Sequence, residues 1–259
     1  MSSEPRTPRL AVLIDADNAS ARIADGLFAE IAKIGEASVR RIYGDFSGTR
    51  LKSWASVLAQ HAIMPHQNFA NTVGKNASDI ALVIDAMDLL HSGRFDAFCL
   101  VSSDSDFTRL AARIREQGVD VYGFGEQKTP ESFRQACKRF IYTENLLPEA
   151  PAGVPARELP ASDAPQRGEP MLKPVARSPQ LAVPLIRRAV AQMEDEDGWV
   201  RLGGVGQRMA ALASDFDPRT FGHAKLGDLV ESTGAFEVRR TAGGGAHIRA
   251  KAEKAPKKA

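Results

Sequence analysis

The chain has 259 residues, 34 Lys and Arg against 32 Asp and Glu, a formal net charge of +2 and a pI near 8.6. That length allows one or two domains, and so mild a charge permits a polyanionic partner without demanding one. Cys99 and Cys137 are too few and too far apart for a disulfide or zinc framework, Met1–Arg9 lacks the apolar core of a signal peptide, and no apolar run is long enough to span a bilayer, so a cytoplasmic chain with no membrane partner is expected.

In chain order, Leu10 to Ile14 is an unbroken apolar run, the pattern of a strand covered on both faces, and it ends in Asp15-Ala16-Asp17-Asn18. Helical spacing follows at about 20 to 34, a strand at Ala37 to Tyr43, and helices at about 50 to 61 and 78 to 91. Phe98 to Val101 reads as a second core strand, followed by Ser102-Ser103-Asp104-Ser105-Asp106 and a helix at about 106 to 117. A strand at Val119 to Phe124 and a helix at about 130 to 140, with Thr129 as N-cap and Pro130 as first helical residue, complete this part. Alternating strands and helices predict an α/β domain over 8–146: right-handed βαβ units, a mostly parallel sheet and helices on both faces.

Eight of the fifteen prolines fall between Pro148 and Pro179, with no apolar period among them, so 147–179 reads as a semi-extended, disordered linker. Beyond it, helices at Leu181 to Met193, Leu202 to Ala213 and Thr220 to Thr233 precede strands at Phe236 to Arg240 and Ala246 to Arg249, joined through Gly243-Gly244-Gly245. Three helices and a terminal hairpin predict a small winged-helix-like domain over 180–250, and 251–259 is a basic tail.

The acids at the element ends carry the chemistry. Ligands of open α/β sheets collect outside the carboxyl ends of the strands, where Asp15 and Asp104 both fall. With Ser78 as N-cap, the next helix puts Ile80, Val83, Ile84, Met87 and Leu90 on one stripe and Leu82, Ala86 and Leu89 beside it. Asp79 then lies inside the apolar, sheet-facing sector, whereas Asp85 and Asp88 should project toward water. Carboxylates about 4 Å apart repel by roughly 4 kcal/mol per pair at an effective dielectric of 20, which a divalent cation would reverse. Each acid alone also suits a cap or a turn. Their convergence is what predicts a metal site, and oxygen-only ligands select Mg²⁺ or Mn²⁺ over Zn²⁺. His61, His66, His91, His223 and His247 show no ligand spacing and read as surface or structural residues.

Val12-Leu13-Ile14-Asp15-Ala16-Asp17-Asn18, Tyr43-Gly44-Asp45, Lys75 to Ala86 and Ser102 to Phe107 together resemble the NYN domain, a PIN-like nuclease family. Phe216 to Leu229 with Phe236-Glu237-Val238 resembles a LOTUS, or OST-HTH, domain. The resemblance implies a PIN-like fold and a metal-dependent ribonuclease with an RNA-binding module. Asp15, Asp79 and Asp104 would be the metal ligands, with Asn18 and Asp106 supporting them directly or through water. Asp17 and Asp85 also match acidic positions of the pattern, and the helical wheel makes Asp85 structural. Lys75, Arg50 and Lys52 are candidates for phosphate contacts near the metal, as are Arg219, Lys225, Arg239 and Arg240 in the C-terminal domain, with Phe221 in its core. The expected partner is RNA, single-stranded or structured, with a second copy or another protein at the C-terminal domain as a further alternative.

Other classes fit less well. Asp15-Ala16-Asp17 also resembles the acid pair of haloacid-dehalogenase-like phosphatases, but Asn18-Ala19 departs from the residues that usually follow. Gly123-Phe124-Gly125-Glu126 lacks the third glycine of a dinucleotide fingerprint and sits on a late strand. A non-catalytic RNA-binding adaptor remains the main alternative.

Overall fold

The computed structural model describes residues 6–69, 76–147, 176–193, 198–240 and 245–251. Its N-terminal domain is built on six parallel strands, β1 Arg9–Asp15, β2 Glu36–Gly44, β3 Met64–Gln67, β4 Ala97–Val101, β5 Asp120–Gly125 and β6 Arg139–Tyr142. Their spatial order is β3-β2-β1-β4-β5-β6. The chain therefore steps outward from β1 to β3 and then returns to the other side of β1. Strand order reverses between β1 and β4, and the crevice of such a sheet opens there.

Period-two alternation divides β1 between two cores. Leu10, Val12 and Ile14 pack with α1 (Ala24–Ile31) and with Trp54 of α2 (Lys52–Ala55). Ala11 and Leu13 face the other way, toward α3 (Ala77–His91), α4 (Thr108–Glu116) and α5 (Glu131–Ala136). Two strands were not expected. Met64–Gln67 and Arg139–Tyr142 are only four residues each, too short to show a period, and they are strands because a neighbour supplies the ladder. The helix expected at 130 to 140 accordingly stops at Ala136, and that expected at 50 to 61 shrinks to Lys52–Ala55 followed by turns.

Three helix details also differ. Pro130, not Thr129, occupies the N-cap position of α5, and the buried Thr129 hydroxyl has no hydrogen-bond partner among the described residues. Asn76 replaces Ser78 at the start of α3. The face of α3 against the sheet is Leu82, Ala86 and Leu89, while Ile80 and Ile84 stay 60% and 55% exposed. Being apolar on both sides, α3 had two faces to offer. The one chosen also turns Asp85 inward, against the expectation that it faces water: its Oδ2 accepts from Arg41 and from the Tyr43 hydroxyl, each at 2.7 Å.

In the C-terminal domain, α6 (Val183–Ala191), α7 (Leu202–Leu212) and α8 (Leu226–Thr233) enclose a core with Ile186, Val190, Val205, Met209 and Leu229. The hairpin β8 (Phe236–Arg240) and β9 (Ala246–Ala250) gains a third strand, β7 (Val200–Arg201), in the antiparallel order β7-β9-β8. The helix expected from Thr220 is split, because Gly222 takes a left-handed φ of 79° and ends a short 3-10 turn at Pro218–Phe221. Most of the expected linker and tail, and Gly243-Gly244, lie outside the described residues.

The two domains touch along β6. The Phe140 amide donates to the Ser214 carbonyl at 2.7 Å, which continues the ladder past the sheet edge. Asp215 accepts from the Tyr142 hydroxyl at 2.5 Å and from Arg134. Arg219 reaches the buried Glu30 at 3.1 Å.

Candidate acidic site

β1 and β4 run in register, with Ile14 opposite Val101, so Asp15 and Ser102 emerge side by side at the switch point. Asp15 is almost fully buried. Its Oδ2 accepts from the Ser102 hydroxyl at 2.7 Å and from the Asn18 amide at 2.8 Å, and its Oδ1 accepts from the Asp17 backbone amide at 3.0 Å. Burial pushes the Asp15 carboxyl above its ordinary range, and these donors oppose that shift. The segment after β1 is held from below by Trp54, whose indole N–H donates to the Ala19 carbonyl at 2.8 Å.

Asp104 follows β4 and caps the 3-10 turn Ser105–Phe107, its Oδ1 accepting from the Asp106 amide at 2.9 Å. The Ser102 hydroxyl also accepts from the Asp104 amide at 3.0 Å, so one side chain bridges the two strand ends. Asp79 opens the buried face of α3. Partial burial first, then the charges of Asp15, Asp104, Asp17 and Asp106, push its carboxyl up to about 6. The five acids named at the outset therefore share one electrostatic environment.

They do not form the tight cluster that was expected. Among the described residues, no three carboxylate, imidazole or thiol groups stand close enough together to hold one ion. Mutual repulsion and local donors draw the acids apart: Asp15 toward Ser102 and Asn18, Asp104 toward its own turn, and Asp17 toward Arg50 at 2.6 Å and, more weakly, Ser78 at 3.5 Å. The carboxylate donor set is nevertheless all oxygen, of the kind that suits a hard divalent cation.

The model for the NYN domain matches residues 9–146, and that for the OST-HTH/LOTUS domain matches 178–248. The chain belongs to the NYN domain family. No curated protein matches it. Among solved structures, a protein of unknown function from Vibrio parahaemolyticus aligns at 18% identity and TM-score 0.45, over 54% of this chain and 95% of that one. An uncharacterized protein from Nitrosomonas europaea aligns at 30% identity and TM-score 0.27, over 38% and 96%. MurG from Acinetobacter baumannii aligns at 14% identity and TM-score 0.36, over 63% and 47%.

Within the NYN domain, the basic candidates fall in different places. Arg50 stands at the rim of the acids through its pairing with Asp17, and Lys52 is exposed at the start of α2. Lys75 lies outside the described residues. In the LOTUS domain, Lys225 and Arg240 line a groove between α7, α8 and the hairpin, Arg240 also pairing with Glu231 at 2.8 Å, and Arg239 lies over the Trp199 ring at 4.6 Å. Arg219 is engaged in ion pairs: its guanidinium pairs with Asp217 at 2.6 Å and with Glu30 of the NYN domain. Phe221 packs against the domain core, as expected.

Ser102, part of the acidic motif, joins the site as the residue that connects Asp15 to Asp104. Its signal was legible in register terms: a hydroxyl residue directly after a core strand sits opposite the acid that ends the neighbouring parallel strand. No helix among the described residues is long and apolar enough to cross a membrane.

Proposed function

We propose that this protein is a metal-dependent ribonuclease that hydrolyses RNA phosphodiesters at the acidic site, with the LOTUS domain as an RNA-binding module. The observation that carries the reading is Asp79, a carboxylate on the buried edge of α3 that lies in the field of Asp15, Asp104, Asp17 and Asp106. A carboxylate in such a field is destabilised unless a cation or a proton is taken up.

Asp15, Asp79 and Asp104 would hold Mg²⁺ or Mn²⁺, with Asp106 and Asn18 beside them. The ion, when bound, supplies an activated water and neutralises charge on the phosphate. The chain's own residues set the geometry. Ser102 and Asn18 fix the orientation of Asp15, and the Asp17–Arg50 pair places a guanidinium at the rim, where a phosphodiester can meet it. Tyr43 and Arg41, by holding Asp85, tie α3 to β2 and so keep Asp79 at the crevice.

The test is incubation of the purified protein with a labelled RNA pool, with and without Mn²⁺, beside Asp104→Asn. Cleavage that needs the metal and is lost in the variant supports the reading; identical behaviour of the two proteins removes it. A second reading, a non-catalytic RNA-binding adaptor, draws on the separation of the acids. RNA binding without cleavage by either protein would favour it.

A further inference from the structure

A cleft of about 740 Å³ opens where α7 of the LOTUS domain meets the β5 and β6 side of the sheet. Lys33, Arg115, Lys138 and Arg139 line it from the NYN domain, Gln207 and Ala211 from α7, and no Asp or Glu is among the described residues that line it. The nearby carboxylates do not balance these cations. Lys33 and Arg139 approach the same Glu30, at 2.8 and 3.6 Å, and Arg219 reaches it too. Lys138 pairs with Asp120 at 2.6 Å, while Arg115 donates to the Ala136 carbonyl at 3.4 Å. Four lining cations thus face two carboxylates, inside a cleft whose low-dielectric walls focus the surplus field.

The place of this cleft separates it from the acids. Lys138 and Arg139 stand at the start of β6 and Lys33 just before β2, whereas Asp15 is the last residue of β1 and Asp104 follows the end of β4. In a parallel sheet those are opposite rims, about 20 Å apart for strands of six residues. The cations come from the turn after α1, from α4 and from the entry to β6, so they are distributed along the cleft and do not converge on a single point. The volume lies within the range of ordinary ligand sites and exceeds what one phosphate fills. The α7 wall exists only because the domains dock through Ser214, Asp215 and Arg219.

We propose that this interdomain cleft binds the phosphate backbone of a single-stranded RNA, as a second contact remote from the acidic site and complete only when the two domains are docked. The naming of the strand as RNA rests on the ribonuclease reading; the phosphate chemistry does not.

The experiment is fluorescence anisotropy of a labelled, mixed-sequence single-stranded oligoribonucleotide with the full-length protein in EDTA, across a range of NaCl. The proteins are wild type, Arg115→Gln with Lys138→Gln, and Ala211→Glu, which puts a carboxylate on an exposed helical position in the cleft without removing a cation. Removing two phosphate contacts should lower the steepness of the log–log salt dependence by about 1.4 and weaken binding about tenfold at low salt. Ala211→Glu should weaken binding as well, which guards against the double variant failing through misfolding. Affinities and salt slopes equal to wild type in both variants would overturn the proposal. Competition by AMP as effective, molecule for molecule, as the oligomer would overturn the strand assignment in favour of a mononucleotide. Binding is read in EDTA, where the acidic site holds no cation and no cleavage is measured, so a failed cleavage assay and a failed cleft remain distinguishable.

Discussion

The Ser102 hydroxyl donates to Asp15 across the β1–β4 boundary at 2.7 Å while accepting the Asp104 amide at 3.0 Å, so one small side chain sets the relation between two acids 89 positions apart in sequence. Asp15 is pushed up by burial and held down by this donor. Ser102→Ala removes the restraint, so the Asp15 carboxyl moves further up. A carboxyl raised in the folded state contributes stability that is complete below its unfolded value, near 3.8, and is lost as pH rises through the folded one. The variant should therefore lose about 1–3 kcal/mol near pH 7 and less near pH 4. Urea unfolding at the two pH values reads the difference. In the cleavage assay, the acidic limb of the pH–rate profile should move to higher pH.

Asp79 follows the same logic. Its carboxyl stands at about 6, so in metal-free protein it destabilises the fold increasingly between about pH 4 and pH 6, and fully above that. Asp79→Asn should stabilise the protein by about 1 kcal/mol at pH 7.5, once solvent screening of a partly exposed group is allowed for, and so raise its Tm there while leaving it unchanged at pH 4. Adding Mn²⁺ should raise the wild-type Tm and narrow the gap. A variant that is less stable than wild type at pH 7.5 in EDTA would contradict this account.

Gly125 permits a close approach that supports Ser102. A Cβ there would lie 2.6 Å from the Ser102 carbonyl and 2.7 Å from the Thr129 hydroxyl, and the first of these is backbone, which cannot step aside. Gly125→Ala should cost about 2 kcal/mol or more by overpacking, and it should lower cleavage beyond what the loss of folded protein explains, because the segment displaced carries Ser102. Activity per folded molecule, from circular dichroism and initial rates on the same samples, separates the two effects.

How much of this was legible in sequence follows from where each signal is local. Leu10–Ile14 and Phe98–Val101 are buried on both faces, so composition alone exposed them, and the acids just beyond them fell at the crevice by topology. Asp79 was placed correctly by helical angle. Asp85 was not, since α3 carries apolar residues on two faces and the choice between them depends on Arg41 and Tyr43, which are distant in sequence. β3 and β6 were missed because four residues define no period; their partners define them. The role of Arg219 was invisible for a similar reason, as Glu30 lies 189 positions away.

The Tyr43–Asp85 bond has a consequence for α3. Tyr43 is buried, and its hydroxyl is pushed well above its ordinary range by burial and by Asp85, so it remains a donor at every working pH. Tyr43→Phe should cost about 1.5 kcal/mol, the low end for one hydrogen bond to a charge. Asp85→Ala should cost more, about 2–3 kcal/mol, because it leaves two partly buried donors without their acceptor. Equal losses for the two variants in urea unfolding would mean that Arg41 finds another partner.

Asp215 is the corresponding point between the domains. It accepts from Arg134 and Tyr142 together, and the Tyr142 hydroxyl is pushed up to about 12 by burial and by that carboxylate. Asp215→Ala leaves a guanidinium and a phenol facing each other at the β6 edge, while the Ser214, Thr220 and Arg219 contacts and Arg177 over the Tyr142 ring still span the boundary. The loss should be about 2 kcal/mol, drawn from docking and not from either core, because Asp215 belongs to no apolar cluster. Solution scattering should therefore show an increased radius of gyration in the variant while both domains retain their helical signal. An unchanged radius would place the docking energy in the Arg219–Glu30 pair, which Arg219→Ala would then test by the same measurement.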